Sequence, residues 1–505
     1  MQSSGCILLS PMSCTPDSRD EYLLPDDILV QVFHWCIFDG FSLSDYADDW
    51  ILRPPLTFTE VCRSWRQLAL TDTTLWSHFS IENSSEGLAL DVLYHGLKLW
   101  LHRSGNSMLH FDINLSSGAV EAEAELMDLL KKHRHRWKTV IIFMECAWDG
   151  LITLSDMPNL VEMNWSVGPT GTTSTERIGT IDITSSKRLR SLEVHGSFSV
   201  IADIPVCQRT GGLAQIAEFK HFPSRVRATP CDYLEFLPLA SYSLQSLELS
   251  IVSPPGDTLL SYLADNSPTL RFSNLRNIRI DTAHGQLMES LLSILAASPS
   301  LKFASFSCLD SEVSSTFLLS ISRFLRDSSS FHVEYLYLDY WPLVWLIDDA
   351  ELHAAEIDIL RLLPSLKFLA LNSSPIQNST IRALSFKDQS GTPDSWREGL
   401  CPLLENIYLY ESVNRRLRSW QHIPGNILYV SPLEEEDRSR LVAEMIQSRW
   451  NSPTSKSKLR QITLPFDCDV YGGFWKDLDQ CMRQGLRIAT SNVPPCRWEC
   501  STSSY

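Results

Sequence analysis

The sequence predicts an α/β chain in two parts. A small all-helical module comes first, followed by an irregular solenoid of short parallel strands with helices outside them, curved as a horseshoe. Three observations carry this. Two short apolar segments at helical spacing lie near the N-terminus. A brief apolar phrase then recurs along most of the chain. Helical periodicity fills several of the intervals between its copies.

The first segment is Leu23-Leu24-Pro25-Asp26-Asp27-Ile28-Leu29-Val30-Gln31-Val32-Phe33. Pro25 suits the first helical position, where its missing N–H costs nothing. Asp26 and Asp27 follow in the first turn, where negative charge meets the positive end of the helix dipole. Ile28, Leu29, Val32 and Phe33 recur at helical spacing. In the second segment Val61, Trp65, Leu68 and Ala69 are expected on one face, with Arg63, Ser64, Arg66 and Gln67 largely elsewhere, and Leu75-Trp76 follows. Two short amphipathic helices cannot bury both faces alone, so they must pack on each other and on something else. On periodicity alone they also read as ordinary core helices of an all-α subdomain.

From about Phe79 the phrase is apolar, two others, apolar, one other, apolar. It appears as Trp137-Val140-Ile142, Leu160-Met163-Trp165, Leu189-Leu192-Val194, Leu244-Leu247-Leu249 and Leu275-Ile278-Ile280. Later copies are Val333-Leu336-Leu338, Leu366-Leu369-Leu371, Leu404-Ile407-Leu409 and Leu459-Ile462-Leu464. Leu301-Ala304-Phe306 is weaker, and Ile216-Phe219 is poorly formed where a copy is due. Consecutive copies lie about 23 to 38 residues apart. The gap from Leu404 to Leu459 is longer and holds a missed copy or an insertion.

Each copy predicts a short strand with alternating inward residues. One strand cannot bury its apolar face alone, so neighbours must stack. The returning limb is expected to be helical at Leu287-Leu291-Leu292-Leu295, Phe317-Leu318-Ile321-Phe324-Leu325, Ala355-Ile359-Leu362-Leu363 and Leu441-Met445-Ile446. An ordinary domain of alternating strands and helices is the competing reading. The punctuation favours the repeat. Met157-Pro158-Asn159-Leu160, Ser298-Pro299-Ser300-Leu301, Leu363-Pro364-Ser365-Leu366 and Cys401-Pro402-Leu403-Leu404 each put a helix-stopping Pro before a strand. Gly168 to Thr184, Ile201 to Gly212 and Pro254 to Thr258 read as loops.

The 505 residues carry a net charge of -17, with 44% hydrophobic and 20% charged residues. That composition is mostly globular and argues against a broad nucleic-acid or anionic-membrane surface. The one strong basic run, Lys131-Lys132-His133-Arg134-His135-Arg136, ends a helix predicted from near Ala119 and reads as a solvated helix end. Asp20 to Trp50 holds many acids and no Lys or Arg, and reads as an acidic surface around the first helix. Cys36, Cys62, Cys146 and Cys308 sit in apolar contexts and read as reduced core residues. Met1 to Asp20 lacks the basic start of a signal peptide, and no apolar run reaches transmembrane length. A reducing compartment, cytoplasmic and/or nuclear, without disulfides is expected.

No phosphate loop, Gly-x-Gly-x-x-Gly, Gly-x-Ser-x-Gly or His-Glu-x-x-His occurs. Cys481, Cys496 and Cys500 lack a fourth ligand at metal-binding spacing. No catalytic residue, metal or cofactor is assigned.

In order, Leu24-Pro25, Ile28-Leu29, Phe33, Val61-Cys62-Arg63-x-Trp65-Arg66 and Leu75-Trp76 resemble the F-box, over about Tyr22 to Ile81. Asp39 to Pro55 makes the spacing longer than the compact motif, as in the F-box-like proteins of mushroom-type fungi that this chain resembles. The recurring phrase resembles a degenerate leucine-rich repeat. Its asparagine ladder is mostly missing, with Asn372 the clearest remnant.

Four segments are expected: from composition a disordered 1–20, from the resemblance an F-box-like domain at 21–82 and a repeat solenoid at 83–465, and, where no repeat is recognisable, a C-terminal cap and mobile tail at 466–505. The resemblance also implies the substrate-recognition subunit of a Skp–cullin–F-box ubiquitin ligase. Leu24, Pro25, Ile28, Leu29, Val32, Phe33, Val61, Cys62 and Trp65 match the family's adaptor-docking motif. Some would contact the Skp-family adaptor and others would hold the helices together, with Trp65 and Trp76 expected to be structural. Cullin and RING subunits would join through the adaptor, and no nucleic acid or membrane is implied. Tyr335, Tyr337, Asp339, Tyr408 and Tyr410 alternate with the inward set of their strands and are candidates for holding an unknown target protein. A non-ligase repeat scaffold and an unrecognised enzyme are the alternatives.

Overall fold

The computed structural model describes residues 24–37, 42–43, 54–83, 90–115, 120–144, 153–154, 156–167, 179–196, 198–201, 215–222, 237, 240–251, 270–282, 284–296, 299–308, 315–328, 332–340, 350–373, 378–386, 400–410, 432–451, 458–464 and 473–490. Its strands are β1 (Ser42–Leu43), β2 (His78–Asn83), β3 (Leu109–Leu115), β4 (Trp137–Met144), β5 (Thr153–Leu154), β6 (Glu162–Val167), β7 (Gly179–Asp182), β8 (Ser191–His195), β9 (Phe198–Ile201) and β10 (Glu218–Phe222). They continue as β11 (Ser246–Ile251), β12 (Leu270–Arg271), β13 (Asn277–Thr282), β14 (Leu295–Ala296), β15 (Phe303–Cys308), β16 (Tyr335–Tyr340), β17 (Phe368–Ser373), β18 (Asn406–Tyr410), β19 (Gln461–Leu464) and β20 (Arg487–Thr490).

Among the described residues, fifteen strands form one sheet in the order β1-β2-β3-β4-β6-β8-β10-β11-β13-β15-β16-β17-β18-β19-β20. Every pairing is parallel. The order never reverses and the sheet does not close into a barrel. A doubly wound α/β sheet would reverse at a switch point.

The phrase explains the strands. Its last two apolar residues point inward, as Leu336 and Leu338 do on β16 and Leu369 and Leu371 on β17, and all four are buried. Its first apolar residue closes a turn. The Leu160 N–H donates to the Met157 carbonyl (3.2 Å), the Leu366 N–H to Leu363 (3.2 Å) and the Leu404 N–H to Cys401 (3.1 Å). Pro158, Pro364 and Pro402 therefore stand at the second turn position, which their fixed φ suits.

The residue after each turn also repeats its role. The Val161 carbonyl accepts from Arg190 and Ser191 N–H groups, and the Lys302 carbonyl from Glu334 and Tyr335. The Glu334 carbonyl accepts from Lys367 and Phe368, and the Lys367 carbonyl from Glu405 and Asn406. The units thus share backbone geometry where their sequences diverge. Full burial of one leucine contributes about 2 kcal/mol. Ordering each backbone residue costs about 1–2 kcal/mol. Two or three inward residues therefore cannot hold a unit alone, and stacking is required.

The helices are α1 (Asp26–Cys36), α2 (Phe58–Val61), α3 (Arg63–Thr71), α4 (Leu90–Arg103), α5 (Val120–Lys131) and α6 (Gly285–Ile294). They continue as α7 (Ser315–Asp327), α8 (Ala350–Arg361), α9 (Asn378–Leu384), α10 (Pro432–Asn451) and α11 (Phe474–Arg483). From α6 to α11 each packs on the next in chain order. Phe317, Leu318, Ile321, Phe324 and Leu325 are buried on α7, the expected stripe. The residues of α6, α8 and α10 named for helical spacing also fall on those helices, except that Leu295 has passed into β14 and Leu362 and Leu363 lie just beyond α8.

Several expectations need correction. β5, β7 and β9 form a second small parallel sheet in chain order, so these units return through extended strand. That places strand inside the stretches read as loops at Gly168 to Thr184 and Ile201 to Gly212. The weak Ile216-Phe219 copy is a full member, β10. Its third inward position holds His221, whose imidazole burial pushes down to about 4, so it packs neutral where other units place an aliphatic. β18 pairs directly with β19, so no further copy of the phrase enters the sheet between them. β20 extends the sheet beyond 465, and β1 starts it within the span read as the insertion between the first helices. The boundaries expected at 82 and 465 therefore do not interrupt the sheet.

The basic run is not a solvated end throughout. Arg136 is buried, donating to the Ser107 carbonyl (2.9 Å) and Ser104 Oγ (2.6 Å), and Arg134 pairs with Asp156 (3.0 Å). Cys36 and Cys62 are exposed, not core, whereas Cys308 is buried as expected. The readings for Met1 to Arg19, Cys146, Pro254 to Thr258, Cys496 and Cys500 lie outside the described residues. No described helix is long and apolar enough to cross a membrane.

Candidate functional site

Two surfaces carry the residues that the sequence singled out. The first is the helical module. Asp26 and Asp27 occupy the first turn of α1, and Pro25 stands one position earlier than expected, at the N-cap. Its carbonyl accepts from the Leu29 N–H (3.0 Å). The second segment is not one helix. Cys62 adopts extended backbone (φ -157, ψ 172) between α2 and α3, and its Sγ accepts from the Trp65 N–H as a helix cap (3.5 Å). Val61 therefore leaves the face it was expected to share with Trp65, Leu68 and Ala69.

The nine motif residues divide by burial. Phe33 stacks on Phe58 (centroids 4.2 Å, 11° between planes), and Trp65 meets its edge at 4.9 Å. Leu29 and Phe33 are buried, while Val32 and Trp65 are half-buried. These residues hold the module together, so Leu29 and Phe33 do not offer a partner surface. Leu24 is 52% exposed, Ile28 38% and Val61 59%, with Pro25 and Cys62 also exposed. Trp35 is 73% exposed on the Ile28 side of α1. Sequence reading missed it, although its spacing of two turns from Ile28 was a usable signal.

The module is fastened to the sheet. Trp76 donates to the Ala69 carbonyl (2.7 Å) and meets Trp100 of α4 edge-on at 5.0 Å, and Arg103 lies over its ring at 4.3 Å. Thr73 and Ser107 share a hydroxyl bond (2.7 Å). Gly105 stands at φ +52 against Thr73, whose Cγ2 would lie 3.2 Å from an added Cβ. The module and first strands consequently share one apolar cluster.

The second surface is the sheet face opposite the inward residues. Its first row runs Phe303↔Tyr335↔Phe368, in register across β15, β16 and β17. Ring centroids are 6.3 Å apart for Phe303–Tyr335 and 5.9 Å for Tyr335–Phe368. Tyr408 joins from β18, 4.7 Å from Phe368. The next row places Glu193, Lys220, Glu248 and Arg279 side by side on β8, β10, β11 and β13. Opposite charges pair across these strands, with Lys220–Glu193 at 3.2 Å and Arg279–Glu248 at 3.0 Å. Arg279 also reaches Asp281 (2.9 Å).

The third row runs Asp281↔Ser307↔Asp339↔Asn372. Asp339 accepts from Tyr337 Oη (3.2 Å), Ser307 Oγ (3.3 Å) and Asn372 Nδ2 (2.9 Å). Burial pushes its carboxyl up to about 6, and these donors only partly offset that. Burial and the neighbouring Asp339 both raise the Tyr337 phenol.

Tyr335, Tyr337, Asp339 and Tyr408 therefore lie on the face the alternation predicted. Tyr410 is in β18, and its side chain lies outside the described residues. Phe303 and Phe368 were missed, although they occupy the phrase position of Tyr335. Asn372 lies within β17, beside Asp339. No group of described residues could hold a metal ion. No protein-family model matches the chain, and no curated protein matches it in sequence.

Proposed function

We propose that the chain is the substrate-recognition subunit of a Skp–cullin–F-box ubiquitin ligase. In this reading α1–α3 dock a Skp-family adaptor, and the open sheet face holds the target protein. The observation that carries the reading is the exposure of Leu24, Ile28 and Val61 at motif positions while Phe33, Phe58 and Trp65 fill the module's own core. Exposed apolar side chains at a helix pair are what a docking partner would cover. The chain would contribute proximity. A bound target held near a charged ubiquitin carrier meets it at high effective concentration, and partner subunits supply the chemistry.

The cluster shared by the module and the first strands favours a second reading, in which α1–α3 only cap the array and the chain is a non-ligase scaffold. Size-exclusion co-elution with the host's Skp-family adaptor separates the two. Ile28→Asp with Val61→Asp alters exposed side chains, so its fold should persist by circular dichroism. The ligase reading expects the parent to bind and the folded variant to lose about a hundredfold in affinity, because a charge would be buried unpaired. A well-folded parent that does not bind would leave the capping reading.

A further inference from the structure

The face between β13 and β18 joins three features. Phe303, Tyr335, Phe368 and Tyr408 form a run of neighbouring rings. Asp281 and Asp339 stand two strands apart in one row, separated by Ser307. Adjacent strands are about 4.8 Å apart, so these carboxylates are spaced by about 10 Å along the row. Asp281 has Arg279 as a partner, whereas Asp339 accepts only from a phenol, a hydroxyl and a carboxamide and pairs with no cation among the described residues.

Asn372 supplies an independent pointer. Its Nδ2 donates to Asp339, which fixes the orientation of the amide, because a carboxylate can only accept. Its Oδ1 is then a buried acceptor with no hydrogen-bond donor among the described residues. An unmet buried acceptor is costly, and a donor reaching it relieves the cost. The site therefore offers a carboxylate without a cation, an acceptor without a donor, and the ring of Tyr337, whose hydroxyl bonds that carboxylate. A guanidinium satisfies all three: it carries five donors in a planar fork, a permanent charge, and a flat face that stacks on rings. An ammonium supplies the charge without the fork or the flat face.

We propose that this face binds an extended, arginine-bearing segment of a partner protein, with one guanidinium held at Asp339 and Asn372 beside the Tyr337 ring and the segment running on toward the Tyr335–Phe368 rings, about 13 Å along the strands. The net charge of -17 favours the approach of such a basic segment. Single-stranded nucleic acid would also stack on the rings, but the carboxylates repel its phosphates. This deepens the reading in which the sheet face holds the target.

The test is fluorescence anisotropy of the full chain with a short labelled peptide of Ser, Gly and Arg. Matched peptides replace Arg by Lys or by uncharged citrulline, and a labelled oligodeoxythymidylate is the nucleic-acid probe. The Arg peptide is expected to bind, the Lys peptide about tenfold more weakly, and the citrulline peptide and oligonucleotide not measurably. Asp339→Asn, nearly isosteric, should weaken the Arg peptide about tenfold or more. Tyr337→Leu, which removes the ring beside Asp339, provides a second variant if the first fails to fold. Binding should also fade as pH falls through about 6, where Asp339 takes a proton.

Equal binding of the citrulline peptide, preference for the oligonucleotide, no binding of the Arg peptide, or full binding by a folded variant would each overturn the proposal. Adaptor co-elution on the same preparation keeps the two readings apart. Adaptor binding without peptide binding defeats only this inference. Peptide binding without adaptor binding defeats only the ligase reading.

Discussion

Glu356 of α8 is enclosed between the helix layer and the sheet. Its Oε2 accepts from Thr380 Oγ1 on α9 (3.0 Å), and the Tyr340 side chain on β16 bonds it as well. Its Oε1 is buried without a hydrogen-bond partner among the described residues. Burial pushes the carboxyl from its ordinary 4.5 up to about 7, and the two hydroxyl donors offset only part of that. The folded chain therefore binds this proton more tightly than the unfolded chain. The associated stability is fully present below pH 4.5 and is lost as pH rises through about 7. At about 1.4 kcal/mol per decade, the loss approaches about 3 kcal/mol.

Glu356→Gln keeps the shape of the neutral acid and removes the titration. Repeat arrays can open in parts, so the assay should read this region alone: hydrogen exchange of α8 and β16 amides across the pH range, corrected for intrinsic rate. The difference between parent and variant cancels contributions from other groups, Asp339 included. The parent should lose about 3 kcal/mol of local opening free energy relative to the variant between pH 4.5 and about 8. Parallel profiles would mean that Glu356 carries no such pH dependence.

Two further substitutions test the packing. Arg449 of α10 is buried with no carboxylate partner among the described residues, donating to the carbonyls of Leu384 (2.7 Å), Cys401 (3.1 Å) and Leu400. Arg449→Met strips donors from those carbonyls and should destabilise the α9–α10 region by about 3 kcal/mol in urea unfolding. Phe33→Ala empties the stack between α1 and α2 and should cost about 4 kcal/mol, read as early proteolysis of residues 24–76.

Much of the sheet was legible because inward strand positions must be apolar at fixed spacing, whatever the turns between them do. Leu336-x-Leu338 and Leu369-x-Leu371 announce strands for that reason. His221 hid β10, since neutral histidine packs in a core but does not read as apolar. β20 was hidden because only Leu486 and Ile488 mark it, after a helix that carries no phrase. The module was legible in its aromatic core. Its break was not, because the cap at Cys62 depends on a backbone angle that an apolar stripe does not encode. On the sheet face, alternation placed Tyr335, Tyr337 and Asp339 correctly. Their partners Phe368 and Asn372 come from the neighbouring strand, and the pairing register that brings them close is a property of stacked units, not of one phrase. Arg136 shows the same limit: it bonds the Ser107 carbonyl, distant in sequence, so charge alone suggested solvent.

The proposed function requires that α1–α3 join this chain to a cullin complex. The most direct measurement is the mass, by light scattering, of the species formed when the purified chain is mixed with the host's Skp-family adaptor and cullin. One ternary species with equal amounts of each is expected, lost in the folded Ile28→Asp, Val61→Asp variant. A folded parent that elutes alone beside an intact adaptor–cullin pair would contradict it.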